Sequence, residues 1–164
     1  MIIRKAKQSD SLEIARIYNH YIKNTIITFE EEEVTQDDIS GRIKNVSSES
    51  LPWLVAEIEN SVTGYAYAAK WRTRSAYRFS VESTIYIDQN FTGNGIGSLL
   101  YKELLPILED SGIHVVIGGI ALPNPSSIAL HEKFGFKKVA QFKEVGIKFN
   151  KWIDVGYWQL QFNS

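Results

Sequence analysis

The residues most able to do chemistry in this sequence are three alternating glycines and a few charged side chains that precede or follow them. Gly93, Gly95 and Gly97 fall in the run Phe91-Thr92-Gly93-Asn94-Gly95-Ile96-Gly97-Ser98. A glycine turn between a strand and a helix aims several backbone N–H groups and the positive end of a helix dipole at one anion. Without Cβ atoms it lets a phosphate come close. Two common phosphate signatures do not fit. No lysine follows Gly95 or Gly97, as a P-loop requires, and the last small residue of a dinucleotide fingerprint would fall on Ser98. A tight turn with no ligand is the plain alternative.

Upstream lies Glu82, which strand alternation puts on one face with Ser80 and Thr84, opposite Val81, Ser83 and Ile85. A carboxylate there is either a solvated strand residue or a proton acceptor bordering a cleft. Arg72 and Arg74 alternate in the basic stretch from Arg72 to Arg78, and a guanidinium fork suits a carboxylate. The histidines at 20, 114 and 131 are dispersed without metal-ligand spacing. His20 lies off its helix's apolar stripe, His114 reads as a core or rim residue, and a lone histidine such as His131 on a helix is commonly structural. The chain has no cysteine, which excludes disulfides, thiolate metal sites and an acyl-cysteine intermediate.

The elements that must position these groups follow from periodicity. Ile2 to Ala6 predicts a short strand. Asp10 and Glu13 have capping-box spacing before a helix whose apolar positions are Ile14, Ile17, Tyr18, Tyr21 and Ile22. Residues 24–34, with four successive glutamates read as a solvated face, form a loop leading to a helix capped near Thr35. Leu54 to Ile58 and Val62 to Trp71 predict a hairpin turning at Asn60-Ser61, followed by a strand over Phe79 to Ile87. After the glycine turn come a helix through Leu99, Leu100, Leu104, Ile107 and Leu108, a buried strand from Ile113 to Ile120, and a helix from Pro125 to Phe134 stopped by Gly135. Val139 to Phe149 and Trp152 to Phe162 predict a closing hairpin around Asn150-Lys151. This order describes an α/β protein whose central sheet is partly antiparallel and partly parallel.

Composition sets bounds on partners. The 164 residues suit one domain, since a chain of this size buries about 70% of its unfolded surface. A net charge of −1 argues against a general nucleic-acid binder, and no apolar run approaches a membrane span. The first residues lack a signal peptide's apolar region and cleavage site, so a cytoplasmic protein is expected.

The run Thr92 to Gly97 resembles the coenzyme A loop of the Gcn5-related N-acetyltransferase (GNAT) superfamily, which ordinarily has Arg or Gln first; Thr92 departs from that position. Asn124-Pro125-Ser126-Ser127-Ile128-Ala129-Leu130-His131-Glu132-Lys133-Phe134-Gly135-Phe136 resembles the family's second signature, after the fifth strand. Trp71 to Ile87 looks like the segment typical of phosphinothricin and methionine sulfoximine N-acetyltransferases. Ile17 to His20, Thr28 to Glu30, Gly112 to His114 and Lys148 to Val155 are similar to that subfamily as well.

The resemblance implies a GNAT fold over residues 1–164 as one domain: a mixed sheet, antiparallel in its N-terminal half, with a parallel pair around the coenzyme site and helices flanking it. It implies acetyl-CoA as cosubstrate, no metal, and direct attack by the α-amine of a small amino-acid-like acceptor. Glu82 corresponds to a base or a partner of the substrate ammonium. His131 stands where many members carry a tyrosine thought to protonate the departing thiolate. The backbone of Ile85, Tyr86 and Ile87 is expected along the pantetheine arm, with Gly93, Asn94, Gly95, Ile96, Gly97 and Ser98 on the pyrophosphate. Asn124 is expected at the pantetheine, with helix capping an equally good explanation. Arg72, Thr73 and Arg74 are the expected substrate anchors, with Tyr77, Thr28 and Phe29 nearby. A homodimer is implied too, with Trp152, Tyr157 and Trp158 as candidate anchors, although these aromatics also suit a core. Acetylation of an unrelated amine, or coenzyme A sensing without chemistry, are the rival functions.

Overall fold

The computed structural model describes residues 1–163. Seven strands form one sheet: β1 (Ile2–Lys5), β2 (Trp53–Ile58), β3 (Ser61–Lys70), β4 (Ser80–Ile87), β5 (Val115–Ala121), β6 (Lys137–Lys148) and β7 (Lys151–Gln161). Their spatial order is β1-β2-β3-β4-β5-β7-β6. The β4 and β5 pair is parallel and the other neighbours are antiparallel, which is the mixed sheet expected from the sequence.

Helices α1 (Ser11–Asn24) and α2 (Gln36–Ser48) cover one face of the sheet, where Ile14, Ile17, Ile22 and Ile39 pack with Val55 and Tyr65. Helix α3 (Ile96–Asp110) covers the other, setting Leu100, Leu104 and Leu108 against Val81, Val116 and Trp158. Burying each such side chain contributes about 1.5–3 kcal/mol, so the periodic apolar positions dictate which way each element faces. Helix α4 (Pro125–Lys133) starts at Asn124, whose side chain accepts the Ser127 N–H at 3.2 Å.

Several local expectations shift. The Asp10 and Glu13 capping box does not form. Asp10 instead takes the Arg4 guanidinium through both oxygens at 2.8 and 2.9 Å and the Lys7 N–H at 2.7 Å, while Glu13 accepts the Val62 N–H. The charged fork from β1 outcompetes a neutral cap. The β2–β3 turn is centred on Glu59 and Asn60, both at positive φ, one residue earlier than expected. The last hairpin turns at Phe149 and Asn150, again both at positive φ. β5 begins at Val115, which leaves His114 exposed rather than in the core. The glutamate run is not uniformly solvated: Arg42 of α2 grips Glu30 at 2.7 and 2.9 Å.

Candidate active site

The site is a gap within the sheet. Pairing of β4 with β5 ends at Glu82↔Ile117, yet β4 stays paired with β3 as far as Ile87 and β5 with β7 as far as Ala121. Beyond Glu82 the two halves of the sheet separate, and the edge of β4 over Ile85, Tyr86 and Ile87 loses its neighbour on that side. A cleft of about 460 Å³ fills the gap, and a groove of about 330 Å³ continues from it along the glycine turn. Ile85, Tyr86, Asn124 and Ser127 line both.

Glu82 faces the cleft over Gly119 of β5. A Cβ on that glycine would lie 3.3 Å from Glu82 Oε2 and 3.2 Å from the Tyr157 ring. Burial pushes the Glu82 carboxyl above the usual glutamate range, and the Arg72 guanidinium pulls it part of the way back. Arg72 rests on the Trp71 ring at 4.6 Å, and Trp71 meets Tyr157 edge to face at 5.8 Å. The result is a half-buried carboxylate near the Tyr157 ring, with the charge of Arg72 acting on it.

His131 enters the same cleft from the opposite face of the sheet. Its Nδ1 is 2.7 Å from the Ser127 carbonyl, and a carbonyl can only accept, so Nδ1 carries the proton. Nε2 is then the acceptor and takes the Tyr101 hydroxyl at 2.9 Å. Burial lowers the His131 pKa, which keeps the ring neutral. Gly118 leaves the room for it, because a Cβ there would sit 2.7 Å from Nε2.

The glycine turn has the form that an anion cradle needs. Gly93 and Gly95 adopt φ of +80° and +76°, and a Cβ on either would meet nothing within 4 Å. Gly95 is the cap residue of α3, so the first amides of that helix open into the groove. Gly97 instead meets Leu130 at 3.2 Å through its would-be Cβ and serves close packing. These features, with the open edge of β4, fit the pyrophosphate and pantetheine of coenzyme A. The groove is lined by Ile85, Tyr86, Ile87, Gly93, Gly95, Ile96, Gly97, Ser98 and Asn124; Asn94 turns its amide back to the Phe91 carbonyl at 3.1 Å.

The expected acceptor residues divide. Phe29 and Thr28 line the cleft; Arg72 is exposed and not among the lining residues, although its charge acts on Glu82. Thr73, Arg74 and Tyr77 remain exposed on the loop between β3 and β4, outside the residues that line it. Sequence reasoning missed Tyr101, Tyr157 and Lys148. Lys148 is 2% exposed and donates to the Thr28 carbonyl at 2.8 Å, while Tyr18 bonds the Thr28 hydroxyl at 2.8 Å. The adjacent glycines at 118 and 119 were an available signal, since glycine inside a strand marks a close approach. Trp158 is buried in the core and Trp152 is exposed, which separates two aromatics that looked alike in the sequence. Among the described residues no group of His, Asp and Glu could hold a metal ion.

Fold and site together define a coenzyme A-dependent acyl transferase. Residues 3–156 match the family described as Acetyltransferase (GNAT) domain, and the chain belongs to that family of acetyl-CoA-dependent acetyltransferases. It is 38% identical over 160 residues to a phosphinothricin N-acetyltransferase of Streptomyces viridochromogenes, covering 98% of this chain and 87% of the relative. It is 34% identical over 164 residues to the L-methionine sulfoximine/L-methionine sulfone acetyltransferase of Salmonella typhimurium, covering 100% and 96%. Among solved structures, a phosphinothricin acetyltransferase from Sinorhizobium meliloti in complex with acetyl-CoA superposes with a TM-score of 0.95 at 35% identity, over 98% of this chain and 87% of that one.

Proposed function

We propose that the protein acetylates the α-amine of a small amino-acid-like acceptor of the phosphinothricin, methionine sulfone or methionine sulfoximine type. The observation that carries this reading is the position of Glu82: a half-buried carboxylate with a raised pKa, lining a cleft continuous with the coenzyme groove. An amine attacks only as the free base, so an acceptor ammonium must first lose a proton, and Glu82 is the group assigned to take it. Arg72 beside it suits the acceptor's carboxylate and disfavours polyamines, which carry no anion to pair with it. Acetyl-CoA supplies the thioester, held by the amides of Gly93 to Gly97 and the open edge of Ile85 to Ile87.

The chain acts as one catalytic domain over 1–164 and works as a homodimer in the cytoplasm. β6 is an edge strand on which Phe142 and Ile147 are exposed, and Phe149 in the turn and Trp152 of β7 add to the same hairpin. An apolar edge of this length favours a partner. The relatives named for phosphinothricin and methionine sulfoximine support the choice of acceptor. Thiol release from acetyl-CoA, followed with phosphinothricin, methionine sulfone, methionine sulfoximine and spermidine, tests it. Release with the three amino-acid analogues but not with spermidine is expected; release with spermidine alone overturns the reading.

A further inference from the structure

We infer that Ser83, Tyr101 and His131 form a polarised proton line that runs from Ser83 at the cleft through the buried Tyr101 to His131 and serves the acyl-transfer step, while Glu82 serves the earlier deprotonation of the ammonium. This rests on the acetyl-transfer reading above and assigns the second proton of that reaction.

The direction of the line follows from hydrogen-bond bookkeeping. Nδ1–H of His131 is committed to the Ser127 carbonyl at 2.7 Å, so Nε2 accepts. The single proton of the Tyr101 hydroxyl therefore points at Nε2, 2.9 Å away. That leaves the Tyr101 oxygen as the acceptor for Ser83 Oγ, also at 2.9 Å, so Ser83 donates inward. Ser83 is 6% exposed and lines the cleft, as His131 does at the other end of the line. Tyr101 is fully buried and lines neither the cleft nor the groove. Its hydroxyl bridges Ser83 and His131.

Two protons leave the acceptor nitrogen during the reaction. The first converts ammonium to amine and goes to Glu82. The second leaves as the nitrogen–carbonyl bond forms and the carbon–sulfur bond breaks. Ser83 Oγ takes it, the Ser83 proton passes to Tyr101, and the Tyr101 proton passes to His131 Nε2. The imidazolium then returns one proton along the same three atoms to the departing thiolate. Nitrogen loses one proton, sulfur gains one, and the line ends as it began. Ser83 is the catalytic member, and Tyr101 and His131 are positioning residues that act through it. Glu82 and His131 approach from opposite faces of the sheet, which keeps the two transfers apart.

The test uses Tyr101→Phe, Ser83→Ala and the double variant, with acetyl-CoA and an acceptor that the wild-type enzyme turns over. Each single variant is expected to lose about 10²-fold in kcat while calorimetric acetyl-CoA affinity stays the same. The double variant should lose no more than the worse single, because groups in one line are non-additive. A proton inventory in mixed H₂O and D₂O should be curved for wild type and linear for Tyr101→Phe. Independently of turnover, the imidazole nitrogens of ¹⁵N-labelled protein should show His131 protonated at Nδ1, with the Nε2 signal moving in Tyr101→Phe. If Tyr101→Phe does not fold, Ser83→Ala decides the kinetics. Wild-type kcat in a folded single variant, losses that multiply, or a proton on Nε2 of the wild-type ring each overturn the proposal. Failure of wild type to release thiol with every acceptor would instead sink the acceptor reading, and the nitrogen signals still decide the line.

Discussion

Nε2 of His131 lies 2.9 Å from the Tyr101 hydroxyl and 2.7 Å from where a Cβ on Gly118 would stand. The ring is also held edge-on to Phe136 at 5.0 Å, which closes that side to it. Gly118→Ala removes no chemical group, yet it must displace the imidazole. Overpacking of this kind costs about 1–3 kcal/mol. A lower melting temperature and a loss of turnover larger than any loss of acetyl-CoA affinity are expected, read by differential scanning fluorimetry, thiol release and calorimetry. Unchanged turnover would detach His131 from the reaction.

Glu82→Gln keeps the shape of the side chain and removes its charge. General-base contributions are typically ~10² to 10⁴-fold, so turnover should fall by that order with acetyl-CoA binding intact. Alkaline buffer supplies more free amine and should restore part of the rate. Wild-type turnover at neutral pH, where chemistry limits, would leave Glu82 with a binding role at most.

The same substitution should stabilise the protein. Burial raises the Glu82 pKa, so the folded chain holds that proton more tightly than the unfolded chain does. Ionised Glu82 therefore costs stability at neutral pH, and the cost fades as pH falls into the ordinary glutamate range. Glu82→Gln is expected to melt higher than wild type at pH 8, with the gap closing towards pH 4. In chains of this size about 1 kcal/mol moves the melting temperature by roughly 2–4 °C, which a thermal scan resolves. An equal or lower melting temperature at pH 8 contradicts the burial argument.

Gly95→Val places a β-branched residue at φ +76°, a conformation such side chains avoid at a cost of about 1–3 kcal/mol. Its Cβ meets no protein atom within 4 Å, so the added bulk projects into the space the coenzyme phosphates need. Acetyl-CoA affinity should drop at least about tenfold, equivalent to about 1.4 kcal/mol. Calorimetry showing undiminished affinity in a folded variant would move the cradle elsewhere.

Ile147→Lys and Trp152→Lys put charge on two side chains that are 50% and 63% exposed in the single chain. Sedimentation of the wild-type protein at micromolar concentration should give a dimer, and of the double variant a monomer. A wild-type monomer removes the dimer proposal.

What the sequence determined by itself was local in origin. Alternating glycines specify a turn with positive φ, Asn124 before Pro125 specifies a helix start, and apolar periodicity specifies which face of each element is buried. All of these depend on neighbours along the chain. The candidate coenzyme residues were legible for that reason, because backbone amides at a helix start do the binding whatever surrounds them.

The acceptor half of the site was decided by tertiary structure. Separation of β4 from β5 after Glu82 depends on two long-range registers, and no local pattern encodes where they part company. Gly118 and Gly119 are adjacent in sequence but face His131 and Glu82 on opposite sides of the sheet, a division that exists only once both strands are in register. Tyr101 lay outside the apolar positions that predicted α3, and Lys148 entered only within a segment similar to the subfamily. They became the partners of His131 and Thr28 because buried polar groups must find hydrogen bonds, and the fold left those partners within reach.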